Sequence, residues 1–222
     1  FGGVERRAST SPFCCGIPRI HETPVILDFA TSLVAEGKAL VALRGGNPLP
    51  EGAIISQNGV LGNDPLPLYG KLSDDHYPDP NKGPGALTGF GMHKGSGLNF
   101  FMEMFAGALT GSGTSAGSKD TSRRKFCNGM LSIYFSLEFF HSDDWFAEEV
   151  RDYIKFFKSS RPSSQGVEVL IPGEIELRRM KERKKNGLPL TQTAWNDLIR
   201  SAEKVKVREK LLYQAQNFLS PT

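Results

Sequence analysis

Two short segments carry the residue types best suited to chemistry. Gly91-Met92-His93-Lys94-Gly95-Ser96-Gly97 sets a lysine between glycines at the head of an apolar run. Glycines let a backbone approach closely, and a helix starting there would offer free N–H groups to an anion. Lys94 adds a fixed positive charge, so the segment suits a phosphate or a carboxylate. The bland alternative is a glycine-rich turn with an exposed lysine. The second segment is Asp28-Phe29-Ala30-Thr31-Ser32, which follows the apolar run Pro24 to Leu27. A carboxylate and two hydroxyls at a strand-to-helix corner are placed to meet a ribose or a pyrophosphate. Plain helix capping by Thr31 or Ser32 accounts for the same residues.

Other patterns are absent or weaker. There is no GxSxG, no P-loop and no HExxH, and Gly89-Phe90-Gly91 lacks the third glycine of a dinucleotide fingerprint. The four histidines (His21, His76, His93, His141) and the cysteines Cys14, Cys15 and Cys127 form no metal-ligand spacing. Asp74-Asp75-His76 has the right residue types, but its proline-rich surroundings read as a solvated turn. The basic run Arg178 to Lys185 reads as a solvated helix face rather than a nucleic-acid contact.

The elements that would position these residues follow from periodicity and turn chemistry. Pro24 to Phe29 reads as a buried strand and Leu33 to Leu43 as the following helix. Gly45 to Gly91 is too rich in turns for one element, with a small hairpin expected around Asn58-Gly59. Gly95 to Leu109 reads as a helix capped by Ser96 and apolar nearly all round, which implies burial. Gly111 to Ser122 is a loop. Met130 to Phe135 and Val167 to Ile171 read as strands. Helices are expected from His141 to Lys158, from Gly173 to Lys185 and from Thr191 or Thr193 past Leu198, while Lys204 to Phe218 reads as a weakly amphipathic helix or a tail. The mixture is α/β.

Composition bounds the possibilities. The chain has 222 residues, 39% of them hydrophobic, so it is long enough to bury a sizeable core in one or two domains. No stretch approaches the roughly 20 apolar residues of a membrane-spanning helix. A net charge of +3 lacks the strong basic excess of a dedicated nucleic-acid binder. Three cysteines without a CxxC fit free, mostly buried thiols in a reducing, cytoplasmic setting. No signal-peptide pattern opens the chain, and its start at Phe1-Gly2-Gly3 looks like the interior of a longer one.

The pieces Gly2–Pro18, Leu27–Lys38, Leu49–Pro65, His93–Gly111, Asn128–Phe135 and Ile171–Leu190 together resemble, in order and spacing, the malate/L-lactate dehydrogenase type 2 family. The resemblance implies an NAD- or NADP-dependent oxidoreductase acting on a 2-oxo or 2-hydroxy acid. It implies a non-Rossmann fold, with a large, mainly antiparallel sheet flanked by helices, and a homodimer. It divides the chain into a cofactor-binding part, residues 1–165, and a helical segment, residues 166–222, that returns to the core. By motif position, Asp28, Phe29, Ala30, Lys94, Gly173, Glu174 and Ile175 match cofactor contacts. The family's catalytic histidine falls ahead of Phe1, so no residue here is assigned that role. Ala53 and Ser56 stand where the family has Trp and Asp, and Thr10-Ser11-Pro12 stands for its TNP. The alternative reading is a non-enzymatic descendant serving as a structural or interaction subunit.

Overall fold

The computed structural model describes residues 1–19, 21–71, 78–116 and 128–218. Asp74-Asp75-His76, Cys127 and the end of the loop to Ser122 lie outside the described residues. Strands β1 (Phe13–Ile17) and β2 (Val25–Phe29) pair antiparallel, with Phe13 opposite Phe29 and Cys14 opposite Asp28. Helix α1 covers Glu36–Leu43. Strands β3 (Ile54–Ile55), β4 (Leu61–Gly62) and β5 (Ala86–Leu87) form a second antiparallel sheet in the order β4-β3-β5, and α2 (Leu66–Tyr69) lies beside it.

The chain continues through α3 (His93–Met102), a π-helical stretch Glu103–Leu109 and a 3-10 turn, Leu137–Phe139. Four further helices follow: α4 (Asp143–Lys158), α5 (Glu174–Asn186), α6 (Gln192–Lys204) and α7 (Glu209–Phe218). Helices and strands are thus mixed, as expected. The large sheet is not found: the described residues form only these two small antiparallel sheets.

Local chemistry explains most of the elements. The hairpin forms at Asn58-Gly59: Gly59 takes φ +79°, where glycine is unstrained, and Ser56 N–H donates to Val60 O at 2.9 Å. Ser142 caps α4 by accepting from Trp145 N–H, with Asp143 and Asp144 in the first turn. Thr191, rather than Thr193, caps α6. Gly187 ends α5 in a backbone conformation open to glycine, φ +86°.

Several sequence expectations fail. Helix α1 starts at Glu36 with Ala35 as N-cap, so Thr31 and Ser32 cap nothing there. Thr31 is instead buried, and Ser32 Oγ donates to Val34 O. Helix α3 starts at His93, which leaves Ser96 inside it. The run from Gly95 to Leu109 is not buried: Phe100, Phe101, Phe105 and Leu109 are exposed, because no described residue packs over that side. Among the described residues, Met130 to Phe135 and Val167 to Ile171 find no ladder partners and are not assigned as strands. High β-propensity alone does not make a strand where no neighbour completes the pairing. Cys14 and Cys15 are exposed rather than buried, since β1 is covered on neither face.

The core is small and local. Val34, Ala39, Leu49, Ala53, Ile54, Leu68, Tyr69 and Ala86 are the buried apolar residues, all lying within α1, α2, the second sheet and their connections. Tyr69 reaches through this core to donate its hydroxyl to Glu36 Oε1 at 2.5 Å. Arg6 ties the N-terminal segment to it, bonding Asn81 Oδ1 at 3.1 Å and Gly85 O at 2.9 Å. No residue of α4, α5 or α6 is buried. The Arg44–Asp197 ion pair joins α6 to the end of α1, and Arg200 pairs with Asp197 within α6. The accessible surface is 17207 Å², against roughly 10,000 Å² for a compact 24.4 kDa monomer.

Because the core is confined to this region, truncations should separate cleanly. Leu68→Ala is expected to destabilise the chain by about 3 kcal/mol in chemical denaturation. Phe156→Ala, at a side chain 74% exposed, is expected to stay within about 0.5 kcal/mol. Equal losses would place the core elsewhere.

Candidate functional site

Three motifs far apart in sequence meet along β2 and its continuation. The first is the corner after Phe29. Thr31 is 1% exposed. Its N–H donates to Thr10 O at 2.9 Å, its hydroxyl lies 2.9 Å from Thr10 O and 3.0 Å from Ser11 O, and its Oγ1 accepts from Asn99 Nδ2 at 2.8 Å. Asn99 also donates to Ser9 O at 2.7 Å. A buried hydroxyl is tolerable only when bonded, and Thr31 spends its capacity fastening residues 9–11 and α3 to the strand end.

The second motif is the start of α3. Residues 88–90 extend β5 alongside the corner, with Leu33 N–H donating to Thr88 O at 2.7 Å and Phe90 N–H to Thr31 O at 3.2 Å. Phe90 and Phe29 meet edge to face at 5.3 Å. The chain then turns into α3 so tightly that a methyl group on Gly95 would lie 2.5 Å from both Thr31 O and Phe90 O. Lys94 is therefore held beside the corner by its neighbour's lack of a side chain. Its exposed ammonium has no ion pair or hydrogen bond among the described residues. The stem lies over Gly91, within 3.6 Å of where a side chain there would begin.

The free N–H groups expected at this helix start are not free. Lys94 N–H donates to Gly91 O, Gly95 N–H to Phe90 O and Ser96 N–H to Met92 O. An anion here would meet the Lys94 side chain rather than a row of unpaired amides.

The third motif is Pro172-Gly173-Glu174. Gly173 takes φ +90° and approaches the backbone of Ile26 so closely that a methyl group would lie 3.3 Å from Ile26 O. Glu174 points back over this bend. One carboxylate oxygen accepts from Lys158 Nζ at 2.5 Å and the other from Ile171 N–H at 3.0 Å. The Lys158 hydrogen bond, followed by that from Ile171, holds the Glu174 carboxyl below the ordinary carboxylate range. Arg178, one turn on, grips Glu168 with both guanidinium nitrogens at 2.6 Å, which lowers the Glu168 carboxyl in the same way. Ile175 is exposed.

Ile26 and Asp28 point to one face of β2, and Phe29 to the other, with Ala30 at the turn. Gly173 at Ile26, Asp28, and Gly95 at Thr31 thus lie along six residues, five steps of chain and a span of at most about 18 Å. The exposed Asp28 carboxylate has no partner among the described residues. Sequence reasoning missed β1, Asn99 and Lys158. An asparagine within an apolar helix was a signal for the second; nothing local marks the third.

The described histidines do not gather. His93 opens α3, His21 sits in a turn at φ +58°, and His141 stacks on Trp145 at 4.3 Å. No group of three or more metal-ligating side chains occurs among the described residues. Two open grooves, one lined by Trp195, Ile199 and Glu203 and the other by Arg179, Met180 and Leu188, contain none of the candidate residues.

Two substitutions test the joint at α3. Gly95→Ala forces a methyl group against two carbonyl oxygens and is expected to cost about 1–3 kcal/mol. Gly97→Ala, two residues on in open space, is expected to be neutral or to stabilise by up to about 1 kcal/mol. Thermal melts of both variants distinguish these outcomes. The Glu174 latch has its own signature in pH. A depressed carboxyl stabilises the fold above its unfolded pKa and loses that contribution as pH falls through the folded value. The stability difference between the chain and Glu174→Gln is therefore expected in full at neutral pH and to shrink as pH falls below the unfolded carboxyl's value of about 4.3; a difference constant with pH would contradict it.

The sequence pattern described as malate/L-lactate dehydrogenase matches residues 1–199. Hydroxycarboxylate dehydrogenase B of Escherichia coli is 33% identical over 96% of this chain and 55% of its own length. L-sulfolactate dehydrogenase of Methanocaldococcus jannaschii is 31% identical over 89% of this chain and 53% of its own. Among solved structures, a putative malate/lactate dehydrogenase from E. coli superposes with a TM-score of 0.77 at 28% identity, over all of this chain and 58% of that one. The chain spans about half the length of the curated relatives it matches. It belongs to the malate/L-lactate dehydrogenase family.

Proposed function

We propose that this chain supplies the coenzyme-binding face of an NAD- or NADP-dependent oxidoreductase that interconverts a 2-oxo acid and a 2-hydroxy acid. The observation that carries the reading is the alignment of Lys94, Asp28 and the Gly173 bend along β2. A cation without a partner among the described residues suits the phosphates, and a carboxylate without one suits a ribose hydroxyl. The span suits an extended dinucleotide. Phe29 and Ala30 shape the strand end, while Ile175 offers apolar contact. These residues fit the group. The names of the relatives, which include hydroxycarboxylate, sulfolactate and malate dehydrogenases, agree with the substrate class.

Held by Lys94 and Asp28, a nicotinamide coenzyme would supply hydride chemistry at the carbonyl carbon, and a proton on the carbonyl oxygen would complete the alcohol. Lys94 would fix the dinucleotide against β2, and Asp28 would orient its sugar. The family resemblance implies a histidine as the proton donor, a role that no residue of this chain is assigned. Arg178 is committed to Glu168, so Lys94 and Arg179 remain the cations near these motifs for an extra 2′-phosphate.

The partner we propose is a second copy of the chain, in a cytoplasmic homodimer. The exposed surface exceeds a compact monomer's by about 7,000 Å². Even an obligate dimer interface takes roughly 1,000–2,500 Å² from each subunit. A dimer alone does not use up this excess; the rest of a family fold packed on these residues would. The division near residue 165 belongs to the same proposal. The chain's helices include none long and apolar enough to cross a membrane among the described residues.

A second reading, a non-enzymatic subunit, draws on Ala53 and Ser56. Ala53 is fully buried, and Ser56 builds the hairpin by accepting from Val60 N–H and Gly59 N–H. Both serve the fold.

Fluorescence titration with NADH and NADPH tests the first reading. Binding to this chain is expected, weakened about tenfold by Lys94→Ala, consistent with loss of a charge-assisted contact of about 1.4 kcal/mol. The tighter coenzyme identifies the preferred one. Binding that Lys94→Ala leaves unchanged would move the site elsewhere.

A further inference from the structure

Gly173, Glu174 and Ile175 sit at a bend whose shape is maintained from outside it. Both oxygens of the Glu174 carboxylate are engaged inside the protein, by Lys158 Nζ at 2.5 Å and Ile171 N–H at 3.0 Å. Neither is left for a ligand as the principal contact. What the bend does present is the backbone of Gly173 against Ile26 and the exposed side chain of Ile175. Lys158 is the last residue of α4, and Glu174 the first of α5. Each charge therefore sits at the helix end whose dipole favours it. The pair is only part exposed, with 31% and 25% of the two side chains open to solvent. That geometry makes it stronger than a freely solvated surface pair. Arg178, on the second turn of α5, is bonded to Glu168, ahead of the bend in sequence.

We infer that Lys158 is a positioning residue for the coenzyme: it acts through Glu174 to hold the Gly173 bend against β2, and Glu174 itself serves as the latch rather than as a ligand contact. The inference rests on the coenzyme reading above. Removing the Lys158 charge leaves Glu174 held by the Ile171 N–H alone, so the bend loosens while the core around Leu68 is untouched. Lys158→Arg keeps a donor at the end of α4 and restores the latch.

The test combines two readouts on the purified chain: amide hydrogen exchange over residues 171–175, and NADH and NADPH titration. The variants are Lys158→Met, Lys158→Arg and Glu174→Gln. Lys155→Met serves as a control, because Lys155 pairs only at the open surface with Asp152. Lys158→Met and Glu174→Gln are expected to speed exchange in 171–175 several-fold without altering exchange in α1 or α2. They are also expected to weaken coenzyme binding about tenfold. Lys158→Arg should recover both readouts, and Lys155→Met should change neither. Unchanged exchange at 171–175 in Lys158→Met overturns the inference, as does faster exchange with coenzyme affinity intact. If the unsubstituted chain binds neither coenzyme while Lys158→Met still loosens 171–175, the latch stands and the coenzyme reading fails.

Discussion

Gly95 has no side chain, and the carbonyl oxygens of Thr31 and Phe90 stand where one would be. Because of that vacancy α3 can rest directly on the end of β2. Any larger residue would push the helix away and carry Lys94 with it. The contact is reinforced from within by Thr31, whose buried hydroxyl and amide fasten residues 9–11, and by Asn99, which bridges the same two segments. Four stretches of chain thus converge on one backbone corner through polar bonds that burial makes costly to break. The candidate site is an extension of this joint, and its dimensions follow from how closely the backbones approach.

Around that joint the molecule is unevenly held. The apolar core lies between Val34 and Ala86, under α1, α2 and the second sheet. The C-terminal helices contribute nothing buried and are attached largely through charge, by Arg44 to Asp197, Lys158 to Glu174 and Arg178 to Glu168. Such pairs each contribute little in water. Segments with few buried contacts open locally at low cost. The Gly173 bend therefore belongs to a region whose order depends on specific ion pairs rather than on packing. The broad exposed apolar surface of α3, the segment 130–135 and α4 is suited to being covered by other polypeptide.

Much of the local structure was readable from residue types. The Asn58-Gly59 hairpin, the Ser142 cap, the Thr191 cap and the Gly187 stop are decided by side-chain bonds or φ preferences within a few residues. Where the reading failed, the deciding partner was distant. Met130 to Phe135 has the composition of a strand, yet a strand requires a neighbour to share its backbone bonds. Thr31 looks like a helix cap, yet Thr10 and Asn99 draw its hydroxyl inward. The Gly95 to Leu109 run has an apolar circumference, but circumference says nothing of what lies alongside.

The sequence by itself determined the Asn58-Gly59 hairpin, the presence of most of the helices, the absence of a P-loop motif, and a family resemblance carried by six ordered segments. It also named Asp28, Lys94 and Gly173 as residues worth locating. Only the tertiary structure decided that these three line one strand, that the amides at the start of α3 are already occupied, and that Glu174 is a latch closed by Lys158. The physical reason is range. Caps and turns are settled by neighbours within one turn of chain, whereas the site is settled by contacts between residues 16 to about 150 positions apart, including Lys158 with Glu174, Thr31 with Gly95, and Ile26 with Gly173.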